Sequence, residues 1–256
     1  MRKRIGIVSE GPTDYLVLKT IIDKITGEDN QYLPLQPEPD MMGRYGTGWK
    51  GVWKWCKEMV PLELLMDGIQ PKIDMIVVQM DGDVVRKEKE IHCWCDSTVC
   101  ENKKNNEFPL YCKDAVERKC PIELPCFSHS NDIVDIISHG KNVLATTMGE
   151  VDKSRIVITI PCDSTDTWIV AAYDDFDDVE QIEDPWRNII AKGKYYHNVR
   201  VRGEKKNIST YKVFTEHLVD NWDTVVNKCV SAKYLEHEIE NVFLRTIQEN
   251  KKCTRF

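Results

Sequence analysis

Two short acidic turns are the parts of this chain best suited to chemistry: Glu10-Gly11-Pro12-Thr13-Asp14 near the start, and Asp81-Gly82-Asp83 much further along. Carboxylates on short, rigid turns are hard oxygen donors of the kind that magnesium or manganese takes. Two such ions can clamp the attacking and departing oxygens of a phosphodiester. In Asp81-Gly82-Asp83 the alternation sends both carboxylates off a strand end on the same side, with Gly82 leaving room between them. Each turn also has a plainer reading. Acids in a first helical turn offset the helix dipole, and loops favour Asp and Gly for local reasons. The case for a metal site comes from the two turns together, in order, each directly after a buried strand.

The elements that must position these acids are legible as apolar runs. Residues 4–9 read as a strand buried on both faces, and Leu16, Leu18, Ile21, Ile22 and Ile25 then recur at helical spacing up to Gly27. Residues 32–36 form a candidate second strand. A helix is expected over residues 49–59, with Trp53, Cys56 and Val60 inward. The clearest strand covers residues 73–80, and a fourth covers 155–160 and runs into Pro161-Cys162-Asp163. Trp168, Ile169, Ala171 and Ala172 suggest a helix after it. Strands alternating with helices predict an α/β fold with a mostly parallel sheet covered on both faces. Ligands of such sheets sit at the carboxyl ends of the strands, where these acidic turns fall.

Between the third and fourth strands the pattern breaks. Residues 84–126 are charged, cysteine-rich and without period, and read as an insertion; the helical signal resumes with Ile133, Val134, Ile136 and Ile137. The acidic run 174–184 reads as a solvated loop. Lys192 to Lys206, interleaved with Tyr195, Tyr196 and His197, reads as a solvated hairpin, with a grip on a nucleic-acid backbone as the alternative. A helical region follows from Ser209, with Val213, Phe214, Leu218, Leu235, Ile239, Val242, Phe243 and Ile247 inward. Trp49, Trp53 and Trp55 read as core or interface rather than a base-stacking platform.

A buried strand ending in Glu10-Gly11-Pro12-Thr13-Asp14, followed by one ending in Asp81-Gly82-Asp83, resembles the TOPRIM domain. That domain occurs in topoisomerases, primases, the ribonuclease that matures 5S ribosomal RNA, and nucleases of the overcoming-lysogenization-defect type. The resemblance covers residues 1–170 and implies a Rossmann-like sheet, with Glu10 as metal ligand or general acid/base. It implies Asp81 and Asp83 as magnesium or manganese ligands and Asp14 as a secondary ligand or a group behind the ligands. Asp166-Thr167-Trp168 is similar to the acid that the nuclease branch carries two residues before a tryptophan, with Asp where Glu is commoner. That branch also uses a C-terminal lysine to neutralise charge in the transition state, and Lys205, Lys206 and Lys212 lie in the matching region. With no topoisomerase tyrosine context and no primase zinc module, the nuclease branch matches best. The implied activity is metal-dependent endonucleolytic cleavage of DNA or RNA. Small stand-alone versions resemble antiviral effectors that work beside a separate ATPase, so such a partner is implied too. Residues 171–256 then form a C-terminal extension, basic and afterwards helical.

A net charge of −7 and a pI of about 5.5 exclude a uniformly basic nucleic-acid coat, but not an enzyme that grips phosphates locally. The apolar run at the N-terminus is too short for a signal core or a membrane span, so a cytosolic, non-membrane protein is expected. Of the ten cysteines, Cys93, Cys95, Cys100, Cys112, Cys120 and Cys126 fall in the insertion, flanked by His92 and His129. A subset of these is expected to hold structural zinc in place of a missing core, with incidental reduced thiols as the alternative. No Walker-type loop is present, so the chain is not expected to hydrolyse ATP itself. Two other functions compete: a non-catalytic, zinc-bearing binding or sensor subunit, and a primase-like nucleotidyl transferase.

Overall fold

A five-residue run without charge, Met75–Gln79, can be buried on both sides only inside a sheet, and it forms a central strand of one. The structure is a computed structural model and describes residues 2–37, 46–58, 62–68, 72–86 and 132–253. Its first half runs β1 (Arg4–Val8), α1 (Pro12–Thr26), β2 (Gln31–Gln36), α2 (Gly48–Glu58), α3 (Leu62–Asp67), β3 (Met75–Gln79) and α4 (Asp83–Arg86). Then come α5 (Ile133–Thr147), β4 (Ile156–Thr159), α6 (Asp166–Tyr173), α7 (Pro185–Ala191) and a hairpin of β5 (Tyr195–Tyr196) and β6 (Val199–Arg200). Three helices close the chain: α8 (Ile208–Asp220), α9 (Trp222–Lys228) and α10 (Val230–Cys253). The four long strands are all parallel, in the order β2-β1-β3-β4. This is the α/β architecture with a parallel sheet that the alternating pattern predicts.

Register divides the strand side chains between two cores. Ile7 lies beside Val77, and Val77 beside Val157; with Ile5 and Met75 they face a cluster built with α1, α6, α8, α9 and α10. Val8, Ile76, Val78 and Ile156 face the opposite cluster, which α2 and α5 supply through Val52, Trp55, Cys56, Ile137 and Leu144. Burying apolar surface at roughly 25 cal/mol per Å² makes both faces stabilising, so the strand ends are held rigidly. α1 starts immediately after the first acidic turn because Pro12 needs no N–H partner there, and it stops at Gly27 in the left-handed conformation (φ +65°).

Several expectations are corrected. In α2 Cys56 is inward as expected, together with Val52 and Trp55, but Trp53 is only half-buried, because the helix packs through the face that Gly51 opens against Gln36; Val60 lies outside the described residues. Residues 84–86, grouped by composition with the insertion, belong to α4, where Val84 and Val85 are buried and Val85 packs on Ile136. In α8 Val213 is exposed and Tyr211 takes the inward position. The acidic run is not simply a solvated loop: Glu180 is buried and accepts from the N–H groups of Val230 and Ser231 (2.6 and 3.0 Å), at the start of α10. Among the described residues no helix is long and apolar enough to cross a membrane.

Candidate functional site

Parallel topology brings the ends of β1, β3 and β4 to one edge, and the acidic turns meet there. Glu10 is fixed where β1 stops. Its N–H donates to Gln79 Oε1 (3.2 Å), its carbonyl accepts from the Gly48 N–H (2.9 Å), and its Oε1 accepts from the Asp81 N–H (2.7 Å). The Trp49 N–H adds a further bond to the Glu10 side chain. Gln79 Nε2 donates to Asp81 Oδ1 (2.6 Å), so one strand residue holds both acids. The turn after β3 is tied to the turn after β4, since Gly82 N–H donates to the Pro161 carbonyl (2.9 Å) and Asp83 N–H to the Asp163 carbonyl (3.0 Å).

Close approach is why glycine stands between the two aspartates. A Cβ on residue 82 would lie 2.7 Å from the Pro161 carbonyl oxygen. Gly82→Ala is therefore expected to destabilise the fold by about 1–3 kcal/mol, a fall of several degrees in melting temperature. A calorimetric melt checks this, and an unshifted transition would show that the two turns separate freely.

Two further acids arrive from elsewhere. Asp14, buried in the first turn of α1, accepts from Thr165 Oγ1 (2.6 Å). Asp166, fully buried at the start of α6, pairs through Oδ2 with Lys206 Nζ (2.6 Å) and accepts at Oδ1 from the Tyr211 hydroxyl. Lys206 lies on the segment before α8; its ammonium is 6.0 Å from the centre of the Trp186 ring, which stacks on Tyr211 (5.8 Å between centroids).

The charges strain against one another. Burial, reinforced by repulsion from Asp83 and Asp14, pushes Glu10 up to about 8 despite the N–H groups of Asp81 and Trp49. Burial also raises Asp14, with Asp166 adding to it and Thr165 and Lys206 opposing. Asp81 is held well above the usual carboxylate range, first by burial and then by Glu10, Asp14 and Asp83. Burial alone would lower the Lys206 ammonium, but Asp166, with Asp81 and Asp14 behind it, outweighs that and raises it.

The structure thus brings together Glu10, Asp14, Asp81, Asp83, Asp166 and Lys206. It does not bring Lys205 or Lys212 to them: both are exposed, Lys212 beside the inward-facing Tyr211 on α8. Cys93, Cys95, Cys100, Cys112, Cys120 and Cys126, with His92 and His129, lie outside the described residues. Three participants were missed. Gln79 carries a signal, a polar residue inside an apolar strand run. Tyr211 precedes Phe214 and Leu218 at helical spacing. Thr165 carries none, since its role depends on Asp14, far away in sequence.

A divalent cation fits this donor set by its chemistry: hard carboxylate oxygens, desolvated and mutually repelling, with the Lys206 charge engaged by Asp166. Among the described residues no three His, Cys, Asp or Glu side chains already stand gathered at ligand spacing. Glu10 is turned instead onto the N–H groups of Asp81 and Trp49. Comparison of the chain with family models, with curated proteins and with solved structures finds no match.

Proposed function

We propose that the chain is a divalent-metal-dependent phosphodiesterase of the TOPRIM type that cleaves nucleic acid. The observation that carries this reading is the meeting of Glu10, Asp14 and Asp81, each raised by burial from its ordinary value, beside the Lys206–Asp166 pair. Carboxylates buried close together are costly to a fold and mark functional sites. Asp81, Asp83, Asp14 and Glu10 would hold magnesium or manganese, which when bound supplies electrophilic assistance to a phosphodiester. Before a cation binds, Glu10, with Oε1 committed to the Asp81 N–H and burial raising its carboxyl to about 8, can hold a proton at Oε2 near neutral pH and would release it as the metal arrives. Lys206 stays cationic and offers its ammonium to a phosphate oxygen, while Asp166 fixes its position. The Tyr211 hydroxyl stays protonated and holds Asp166 in one orientation.

The test is incubation of the wild-type chain with single-stranded DNA, duplex DNA and RNA in magnesium, manganese or chelator. Cleavage that requires the metal is expected; intact substrates throughout would overturn the reading, and incorporation of nucleoside triphosphates would replace it with nucleotidyl transfer.

The same acids dictate a pH dependence. A carboxyl whose pKa is raised in the fold stabilises it fully below the unfolded value and loses that contribution as pH rises through the folded one. For Glu10 the window runs from 4.5 to about 8. Burial lowers His139 to about 4 from 6.5, which gives the opposite slope at the acid end, so the effect is read above 6.5, where His139 is neutral in both states. Without metal, the melting temperature should fall as pH rises from there through about 8, and manganese should flatten the fall. A metal-free melt independent of pH over this range would contradict the assignment.

A further inference from the structure

The 11-residue helix α2 begins against Glu10, through the Gly48 N–H to the Glu10 carbonyl and the Trp49 N–H to its side chain. Its two sides are of different chemistry. Gly51, Val52, Trp55 and Cys56 are buried against the sheet. Trp49, Lys50, Trp53, Lys54 and Lys57 occupy the opposite arc, about 140° wide at 3.6 residues per turn and about 12 Å long. On this arc indole and ammonium are interleaved: Lys50 Nζ is 5.4 Å from the Trp49 ring centre and Lys57 Nζ 4.7 Å from that of Trp53. The two indoles are half-buried, resting on Val143 of α5, with Lys50 and Lys57 exposed beside them. In a chain of net charge −7, this is a concentrated basic face.

We propose that this face of α2 binds a single-stranded nucleic acid and leads it to the acid cluster. Ammonium groups compensate phosphates, indole faces stack bases, and the two alternate along the helix as the backbone and bases of one strand do. A cation–π pair in the free protein keeps each ring oriented and half-uncovered, ready to exchange an ammonium for a base. An acidic protein segment would meet the same lysines but has no use for two indoles a helical turn apart. This inference rests on the reading of the acid cluster as a phosphodiester-cleaving site, because that reading gives the strand its destination.

Binding can be measured apart from cleavage. Fluorescein-labelled oligo-dT, oligo-U and a duplex are titrated with the full chain in chelator, over a range of salt, by anisotropy. In the Lys50→Gln/Lys54→Gln/Lys57→Gln variant, single-strand affinity is expected to fall more than tenfold and the salt slope by about 2, at roughly 0.7 per phosphate. Trp53→Phe should weaken single strands several-fold and the duplex little. Circular dichroism and thermal melts verify that both variants fold. Unchanged titrations in the lysine variant overturn the proposal, as does equal displacement of the oligonucleotides by polyglutamate. The relative affinities of dT and U separate DNA from RNA. Lysine-dependent binding in a chain that cleaves nothing would sink the nuclease reading and keep the face; metal-dependent cleavage indifferent to the lysines would do the reverse.

Discussion

Removing either acid at the strand ends, by Asp81→Ala or Glu10→Ala, is expected to lower metal-dependent cleavage about a thousandfold while the chain still folds. A ligand or proton carrier at the reacting phosphate contributes to the transition state alone, so the loss belongs in kcat rather than in binding. Stability without metal should move differently. Asp81 is burdened by burial and by Glu10, Asp14 and Asp83, and removing one of these charges relieves the others. Glu10→Ala also strips the acceptor from the N–H groups of Asp81 and Trp49, at a cost of about 1–3 kcal/mol. Glu10→Gln keeps an acceptor while discarding the charge. The glutamine variant should therefore be as inactive as the alanine one, yet melt higher than it in chelator. Wild-type cleavage rates in Asp81→Ala or Glu10→Gln would refute the site.

Lys206→Met is expected to have the largest effect on stability. Asp166 is fully buried, and without the ammonium it would keep, among the described residues, its contacts to Tyr211 and Ser164. Breaking a buried ion pair from one side costs about 3–5 kcal/mol. Here the lysine side chain is 34% exposed and water can partly replace it, so about 2–3 kcal/mol is expected. Adding Asp166→Asn should recover most of that loss by removing the stranded charge, without restoring cleavage. Urea denaturation of the single and double variants measures both quantities. A single variant as stable as wild type would mean that Asp166 is compensated by something other than Lys206.

The sequence reveals most where the determining interactions are short. β1, β3 and β4 are apolar runs whose burial needs no knowledge of distant residues, and parallel pairing then puts Glu10, Asp81 and Asp83 at one edge by geometry alone. Lysine choice was not legible. Lys205, Lys206 and Lys212 have the same charge and nearly the same position in the chain. What distinguishes Lys206 is an ion pair to Asp166, which depends on how the segment before α8 crosses α6. Glu180 failed for the same reason: its partners are backbone N–H groups of residues 230 and 231, and no side-chain pattern announces them. In α2 the sequence puts Cys56 inward, as the structure does, but also Trp53, because tryptophans lie on both sides of the helix and periodicity alone does not say which indole is buried.

The bond from Thr165 to Asp14 joins residues 151 positions apart, and this separation has a consequence for the birth of the protein. A ribosome adding about 5–20 residues per second needs roughly 8–30 s to travel between them. Through the latter part of that interval, once Asp81 has been made, the chain holds Glu10, Asp14 and Asp81 but not yet Asp166, Lys206 or Tyr211. A nascent chain therefore carries the acids long before it carries the cation that steadies them. Any hydrolytic power the chain has is expected only after Lys206 and Tyr211 have been made and have folded onto Asp166.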